Sequence, residues 1–439
     1  MITRRVQYEV AGRLAGPALF RLEAWQQRVK KMRKGPRKSA IFGPPLECVS
    51  KLKELMGTHY LQGRYADGAV PVAWVTSGFP VEILRPLGFH AVYPENHAAL
   101  CSVQRVVPEL SDAVEKEGYA RDLCSYARTD IGSVVTGKTP VGRLPKPDVL
   151  LCCTNICQTV LYWYRALAAH FNVPLVLMDT PFVYGEAKPH HRQYVRDQLE
   201  ELVDVAERVG GKRVDPEELE EVVRVARDGT RLWGECLAAS RAKPAPWTGI
   251  DGFFHIAPIV TLRGTRQCNA YYRMLLDELN DRVAKGIGGI VNERHRLLWD
   301  NLPIWFDVRG LSTLMAERGF NFVVTTYTNA WAEAGSRIDP ADPIGSAVVA
   351  YTDIILNQDL NKRLDTMRRL SRDYSVDGAV LHSDRSCKPY SIGQIDLKQR
   401  LAKELDMRVL VLEADHGDPR AYAKEQGEGR LTAFMEGFS

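Results

Sequence analysis

Short apolar runs bounded by turn residues recur in two separate stretches of the chain. In the first stretch they cover residues 70–75, 89–92, 147–152 and 174–178. In the second stretch they cover residues 296–299, 321–325, 378–382 and 408–412. Runs of this length predict buried strands, and helical patterns lie between them. Strands that alternate with helices predict a parallel sheet, so we expect an α/β protein with two Rossmann-like parallel-sheet domains facing a crevice.

The rest of the chain is predicted to be helical. Residues 1–66 carry apolar side chains at helical spacing, a break at Gly35-Pro36 and a second helical pattern over 46–56. Residues 206–285 predict a helical segment that braces the two halves. One of its helices starts at Asp215-Pro216, because Asp is a favoured N-cap and Pro a favoured first helical residue. We therefore predict a helical N-terminal segment (1–66), a first Rossmann-like domain (67–205), and a brace followed by a second such domain (206–439).

Composition and charge exclude several classes of protein. The 439 residues are 45% hydrophobic and 26% charged, and the formal net charge of +4 is too small to indicate a nucleic-acid partner. No run approaches the roughly 18–20 apolar residues of a spanning helix, and no apolar run follows the N-terminus, so neither a membrane span nor a signal peptide is expected. These features predict a cytoplasmic protein. A basic cluster over 30–38 is interpreted as a solvated helix end or as a contact for a phosphate-bearing ligand.

Residues 132–139 match the phosphate-binding pattern G-x-x-x-x-G-K-[ST]. That motif needs a strand before the loop and a helix after it. Here the preceding residues, 122–131, predict a helix, and four Pro or Gly residues follow over 140–147. The match is therefore interpreted as a connecting loop, and a nucleoside-triphosphatase remains a third hypothesis for the chain.

The nine cysteines divide by their sequence context. An odd count without regular spacing argues against a secreted disulfide scaffold. We expect Cys48, Cys101, Cys236 and Cys268 to be small buried residues. Cys124, Cys157 and Cys387 are candidate metal ligands. Cys157 and Cys387 follow predicted strands at equivalent places in the two halves, where Thr154 and Asn155 are predicted helix caps. Three thiolates on one iron–sulfur cluster would leave one iron open to substrate. The alternative is a binding module with inert thiols.

Two further side chains are candidates for a site. Ser77 follows the first predicted strand and is either a turn residue or a hydroxyl at the floor of the crevice. His382 ends a later strand and is either a satisfied strand-end histidine or a proton donor. Cys152 and Cys153 end a strand together, so one is expected to point into the core while the other could approach a cluster.

Five segments together resemble the benzoyl-CoA reductase / 2-hydroxyglutaryl-CoA dehydratase family. They are residues 75–82, 93–96, 122–126, 153–157 and 382–387. The resemblance implies a [4Fe-4S] cluster held by Cys124, Cys157 and Cys387, and it places Ser77 at an active-site serine position of the dehydratase branch. It also implies low-potential electron transfer to the thioester carbonyl of an acyl-CoA, giving a ketyl-type radical. The cofactor would supply this chemistry, and the protein would position the substrate.

The same resemblance implies partners and a choice of reaction. The implied partners are a paralogous cluster-bearing subunit, ATP-hydrolysing iron–sulfur activator subunits and an upstream ferredoxin-type electron donor. Residues 122–132, 263–265 and 338–343 look more like ATP-dependent benzoyl-CoA reductases, which dearomatise the ring in anaerobic aromatic degradation. The alternative is a subunit of a 2-hydroxyacyl-CoA dehydratase, in which the radical expels a hydroxyl group.

Overall fold

The computed structural model describes residues 2–34 and 39–438. Its N-terminal segment is helical: α1 (Ile2–Val10) continues through a π-helical turn (Ala11–Ala15) into α2 (Gly16–Lys34), and α3 (Val49–Gly63) follows. The second helix thus begins and ends later than the predicted 46–56. The predicted break at Gly35-Pro36 lies outside the described residues, as do the side chains of the basic cluster from Lys31 onward.

Two four-stranded parallel sheets form the body of the molecule. The first contains β1 (Val72–Val75), β2 (His90–Val92), β3 (Val149–Cys153) and β4 (Leu175–Met178), in the order β2-β1-β3-β4. The second contains β5 (His295–Asp300), β6 (Phe320–Thr325), β7 (Gly378–Asp384) and β8 (Arg408–Ala414), in the order β6-β5-β7-β8. Each sheet has the same strand order. The predicted α/β fold with two Rossmann-like halves is confirmed.

Helices connect the strands and cover the sheets. Those of the first half are α4 (Pro94–Val103), α5 (Val107–Lys116), α6 (Ser125–Thr136), α7 (Thr159–Phe171) and α8 (Pro189–Gly210). The brace contains α9 (Pro216–Ala238), α10 (Gly249–His255), α11 (Ala257–Thr261) and α12 (Arg266–Ala284). The second half contains α13 (Val308–Glu317), α14 (Thr326–Gly335), α15 (Pro343–Thr352), α16 (Leu360–Asp373), α17 (Lys388–Ser391), α18 (Gln394–Leu405) and α19 (Lys424–Glu436). Across the described residues, every helix is too short or too polar to cross a membrane.

Burial on both faces explains why the strands read as unbroken apolar runs. Every residue of β1 and β3 is buried, as parallel strands covered by helices must be. The brace is held to the second half by Trp233 of α9, whose indole N–H donates to the Thr328 carbonyl at 3.0 Å. Asp215 caps α9 as predicted, accepting from two first-turn amides. We keep the boundaries 1–66, 67–205 and 206–439 as a proposal for how the chain divides.

The strand order decides where a ligand can bind. In each sheet the chain leaves its first strand toward one edge and then returns to the other side of it, which creates a switch point between β1 and β3 and between β5 and β7. Crevices open beyond the carboxyl ends of parallel strands at such points. Ser77 follows β1, Cys157 follows β3 and Cys387 follows β7.

Candidate active site

One cleft, with a cavity volume of about 170 Å³, lies between the two halves at these strand ends. Its lining includes all four residues selected from the sequence, namely Ser77, Cys124, Cys157 and Cys387. The lining also includes Glu95 in the first turn of α4. Residues far apart in sequence therefore meet in one place, because the two sheets direct their carboxyl ends at a common crevice.

The three thiols of the cleft each lie at the start of a helix. Cys124 is the N-cap of α6 and Cys387 is the N-cap of α17. Cys157 precedes α7, and two amide N–H groups from the first turn of that helix donate to its sulfur. An amide N–H from Tyr390 donates to the sulfur of Cys387. Helix N-termini stabilise thiolates and anionic clusters, so this backbone suits a negatively charged ligand set.

The electrostatics of the thiols favour binding to a cation. Burial raises the pKa of Cys157 to about 12, and the nearby Cys124 adds to this. Burial, followed by Asp384, Cys124 and Cys157, raises the pKa of Cys387 well above its usual range. Buried thiols in this state are unreactive when free, whereas a thiol that coordinates a metal loses its proton outright. Among the described residues that line the cleft, these three are the only thiols, so the donor set fits a cluster with three protein thiolates.

The other cysteines lie away from the cleft lining. Cys152 and Cys153 are both fully buried in β3 and pack into the hydrophobic cores on opposite faces of the first sheet. Cys48, Cys101, Cys236 and Cys268 are buried, as predicted. The helix caps predicted near Cys157 are wrong. Asn155 instead donates to the carbonyls of Gly78 and Tyr351 at 3.0 and 2.8 Å, because its side chain ties the loop after β3 to the loop after β1 and to the second half. Thr154 hydrogen-bonds Asp179 rather than the start of α7.

Sequence reasoning missed Glu95, although its segment 93–96 was one of those that carried the family resemblance. The Ser77 amide donates to Glu95 Oε1 at 3.0 Å, while Glu95 Oε2 and the Ser77 hydroxyl have no hydrogen-bond partner among the described atoms. Burial raises the pKa of Glu95 to about 7. A carboxyl group with this pKa can hold or release a proton at neutral pH. Ser77 and Glu95 thus form a pair of free polar groups in an otherwise apolar cleft.

Sequence reasoning also missed the buried pair His416 and Asp384, which supports Cys124. Asp384 Oδ2 lies 2.6 Å from His416 Nδ1, and the opposite ring nitrogen lies 3.9 Å from Cys124 Sγ and 2.9 Å from the Ser125 hydroxyl. Burial lowers the pKa of His416, but the Asp384 carboxylate outweighs burial and raises it well above its usual range. Groups that contact ligand sulfurs set the position and potential of a cluster. Asp384 ends β7 and His416 follows β8, so a polar residue at each strand end was the available signal.

A buried ion pair joins the two halves behind the cleft. Arg263 of the brace donates to Glu82 Oε1 at 2.7 Å and to the Phe79 carbonyl at 2.9 Å. The Tyr351 hydroxyl of the second half donates to the other oxygen of Glu82 at 2.9 Å. Glu82 lies in a short 3₁₀ helix (Val81–Leu84), where a longer helix over 80–86 was predicted. This network fixes the relative position of the loop after β1 and of α15.

Two sequence motifs lie outside the cleft lining. His382 is fully buried, and its Nδ1 lies 2.7 Å from the Leu302 carbonyl, as expected for a strand-end histidine. Residues 132–136 of the phosphate-loop match lie inside α6, and Gly137 ends that helix in a left-handed conformation (φ 69°). Lys138 forms a surface ion pair with Glu109. The predicted connecting loop, with a helix before it, is confirmed.

Comparison with known proteins places the cleft in a family context. The family model for 2-hydroxyglutaryl-CoA dehydratase, D-component, matches residues 76–438. The (R)-2-hydroxyisocaproyl-CoA dehydratase alpha subunit of Clostridioides difficile is 32% identical over 373 residues, covering 83% of this chain and 90% of its own length. The (R)-phenyllactyl-CoA dehydratase alpha subunit of Clostridium sporogenes is 30% identical over 83% of this chain and 89% of its own. A benzoyl-CoA reductase subunit of Thauera aromatica is 26% identical over 88% and 93%.

Proposed function

The chain belongs to the 2-hydroxyglutaryl-CoA dehydratase D-component family, and from this membership we propose that it is the cluster-bearing subunit of an enzyme acting on aromatic acyl-CoA thioesters. Cys124, Cys157 and Cys387 would hold a [4Fe-4S] cluster. The observation that carries the proposal is the convergence of these three thiols with Ser77 and Glu95 on one apolar cleft. When bound, the cluster supplies low-potential electron transfer to the thioester.

The lining of the cleft supports an aromatic acyl group. Ring side chains dominate it: Trp163, Tyr327, Trp331, Tyr351 and Tyr390. Aromatic rings prefer offset or edge-to-face contact with other rings, which favours a flat aromatic substrate. The first candidate reaction is therefore the one expected from the sequence, ATP-dependent dearomatisation of a benzoyl-type acyl-CoA. This assignment would make the enzyme an oxidoreductase of anaerobic aromatic degradation.

A second candidate reaction is dehydration of a 2-hydroxyacyl-CoA, which would make the enzyme a lyase. The dehydratase alpha subunits of C. difficile and C. sporogenes are 32% and 30% identical to this chain, against 26% for the reductase subunit. The C. sporogenes enzyme is named for a phenyllactyl thioester, so an aromatic lining is compatible with either reaction.

The residues of this chain would have distinct roles in both reactions. The Ser77 hydroxyl would donate to the thioester carbonyl or to a substrate hydroxyl, because no protein group competes for it among the described atoms. Glu95 would hold the proton that the substrate gains or loses, since its pKa of about 7 suits transfer in either direction. The apolar lining would exclude water from the reacting atoms. His416 would hold Cys124 in position through its contact with Asp384.

A basic cleft of about 650 Å³ beside the acyl cleft would take the phosphates of coenzyme A. Its cationic side chains are Arg192, Arg337, Lys362, Arg368, Arg369 and Arg372. The two clefts share the segment 353–358, because Asp353 lines the basic cleft and Ile354 lines the acyl cleft. Asp353 holds Arg192 at 2.8 Å and its carbonyl accepts from Arg337 at 2.5 Å. Arginine forks bind phosphate oxygens with two parallel hydrogen bonds.

The proposed assembly has further components. The relatives are named as alpha subunits, which implies a heteromeric partner. We propose that the partner is a paralogous cluster-bearing subunit, and that ATP-hydrolysing activator subunits receive electrons from a ferredoxin-type donor. An enzyme that depends on such low-potential electrons would work in an anaerobic cytoplasm.

The decisive experiment has two arms. Anaerobic purification of the wild type should give a brown protein with about four irons per chain. Replacing Cys124, Cys157 or Cys387 by Ser should lower the iron content, whereas Cys236→Ser, in the core, should not. The assembled complex is then given benzoyl-CoA and phenyllactyl-CoA with ATP and a strong reductant. Turnover of the hydroxyacyl thioester alone would select the dehydratase, and an iron-free protein after reconstitution would refute the site.

A further inference from the structure

A row of buried polar side chains runs from the surface of the first half toward the acyl cleft. It consists of Thr139, His97, Asp130, Tyr164 and Glu95. Thr139 is half-buried in the loop after α6, and the other four are buried. His97 and Glu95 come from α4, Asp130 from α6 and Tyr164 from α7. Three helices thus contribute polar groups to one region that is otherwise core.

The outer half of the row connects solvent to a buried carboxyl group. The Thr139 hydroxyl lies 2.8 Å from His97 Nε2. The other ring nitrogen of His97, Nδ1, lies 3.9 Å from Asp130 Oδ1, and neither of these two atoms has a hydrogen-bond partner among the described atoms. The gap exceeds a hydrogen bond by about 1 Å, a distance that a small rotation of the ring closes.

The inner half of the row leads from Asp130 to the cleft. Trp163 donates to Asp130 Oδ2 at 2.9 Å and so fixes the carboxyl group with Oδ1 free. The Tyr164 hydroxyl and Glu95 Oε2 also lack partners among the described atoms. Glu95 and Asp130 both act electrostatically on Tyr164, and Glu95 acts on Asp130, so the three groups are neighbours.

Four unpartnered polar atoms in a single buried region call for an explanation. Leaving one such atom unpaired costs about 1–3 kcal/mol, so a fold retains them only where something else is gained. Buried water commonly completes such groups and links them into a hydrogen-bonded chain. A chain of this kind, with one end at the surface and the other at a reactive cleft, is able to carry protons.

We infer that this row is a proton relay that exchanges protons between solvent at Thr139 and Glu95 in the acyl cleft. In one passage, His97 Nε2 takes a proton from the Thr139 hydroxyl, which regains one from solvent, and Nδ1 gives its proton to Asp130 Oδ1. Asp130 gives a proton to the Tyr164 hydroxyl, which passes its own proton to Glu95. One proton enters and one arrives, and no electrons move. The inference rests on the proposed function, in which Glu95 exchanges protons with substrate.

The proton affinities of the carboxyl groups support this direction of use. Burial raises the pKa of Asp130 and that of Glu95 to about 7, so transfer between them is close to balanced. Burial lowers the pKa of His97 to about 4, which keeps the ring neutral and able to accept at one nitrogen and donate at the other. The titratable groups that face the row are Cys101, Cys152, Cys157 and Tyr327.

The test uses Asp130→Asn and His97→Ala in the assembled, cluster-loaded complex. Asn keeps an oxygen for Trp163 but cannot pass a proton on. We expect kcat to fall about tenfold or more in both variants with KM unchanged. We also expect a larger solvent deuterium effect on kcat, and partial rescue of His97→Ala by added imidazole. Ser111→Ala, which removes another buried unpartnered hydroxyl outside the row, is the matched control.

Other outcomes overturn the relay. An unchanged kcat and isotope effect in Asp130→Asn would do so. So would a joint loss of iron content, KM and kcat without imidazole rescue, because that pattern reports a structural role. A substrate-free infrared titration separates this failure from failure of the proposed function. Protonated carboxyl bands that titrate near neutral pH and lose one component in Asp130→Asn support the relay even if the wild type turns over neither thioester, and their absence refutes it.

Discussion

Replacing Glu95 by Gln should make the protein more stable at neutral and alkaline pH while removing its activity. The side chain is 8% exposed, and one carboxyl oxygen accepts the Ser77 amide while the other has no partner among the described atoms. Ionising this group in the folded protein is therefore costly. Gln has nearly the same shape and keeps the oxygen that accepts the amide, but it carries no charge at any pH.

The size and direction of the effect follow from the pKa of Glu95. Burial raises it from 4.5 to about 7. A group with a raised pKa in the folded state contributes its full stability below the unfolded value and loses that contribution as the pH rises through the folded value. The loss is about 3 kcal/mol, since each pKa unit corresponds to about 1.4 kcal/mol. We expect wild type and Glu95→Gln to unfold alike below about pH 4.5, and the variant to gain most of its advantage between about pH 5 and 7.

Thermal and urea unfolding of the anaerobic protein at several pH values would measure this difference. Glu117→Gln, at an exposed glutamate after α5, is the matched control and should show no pH-dependent change. A Glu95→Gln variant that is no more stable than the wild type at about pH 8 would refute the reasoning. A stability difference that is the same at every pH would also refute it, because the cause would then be packing and not ionisation. Turnover of the assembled complex should be lost in Glu95→Gln whatever the stability.

Three other changes test the support of the site. Arg263→Met should destabilise the protein by about 3–5 kcal/mol because it leaves Glu82 buried and unpaired, and adding Glu82→Gln should recover most of the loss in urea unfolding. Lys362→Ala, in the basic cleft, should raise KM for the acyl-CoA severalfold and leave kcat unchanged in steady-state assays. Gly132→Ala should lower the melting temperature, since its Cβ would lie 2.2 Å from a carbonyl oxygen of α5, whereas Lys138→Ala on the surface should shift stability by less than about 1 kcal/mol. ATP hydrolysis abolished by Lys138→Ala would contradict the interpretation of this segment as a connecting loop.

The elements were predictable to different degrees for physical reasons. All eight strands lie where the apolar runs predicted them, because strands buried on both faces are apolar throughout. Helix ends were less well predicted: α6 begins at Ser125 and continues to Thr136, through residues that match a phosphate loop. Gly132 is explained by close contact with α5 and not by a bound phosphate, a distinction that the motif alone does not contain.

The candidate site divides in the same way. Local context selected Ser77, Cys124, Cys157 and Cys387 from the sequence, since each stands at a strand end or helix start where a thiol or hydroxyl can face a crevice. Glu95, His416 and Asp384 could not be selected on their own, because a single acid or imidazole at a strand end is common. Their importance appears only when distances are known, as in the 2.6 Å contact between Asp384 and His416.

The sequence by itself determined the two parallel layers, the strand-end loops and the family, because each of these depends on residues that are close together along the chain. The tertiary structure decided which loops meet. It brought three thiols from residues 124, 157 and 387 into one cleft, set Arg263 between the halves, and left Glu95, Asp130 and His97 buried with free polar atoms among the residues described. Burial and like or opposite charges at a few ångströms shift the proton affinities of these groups. Such distances are fixed by packing between segments far apart in the chain.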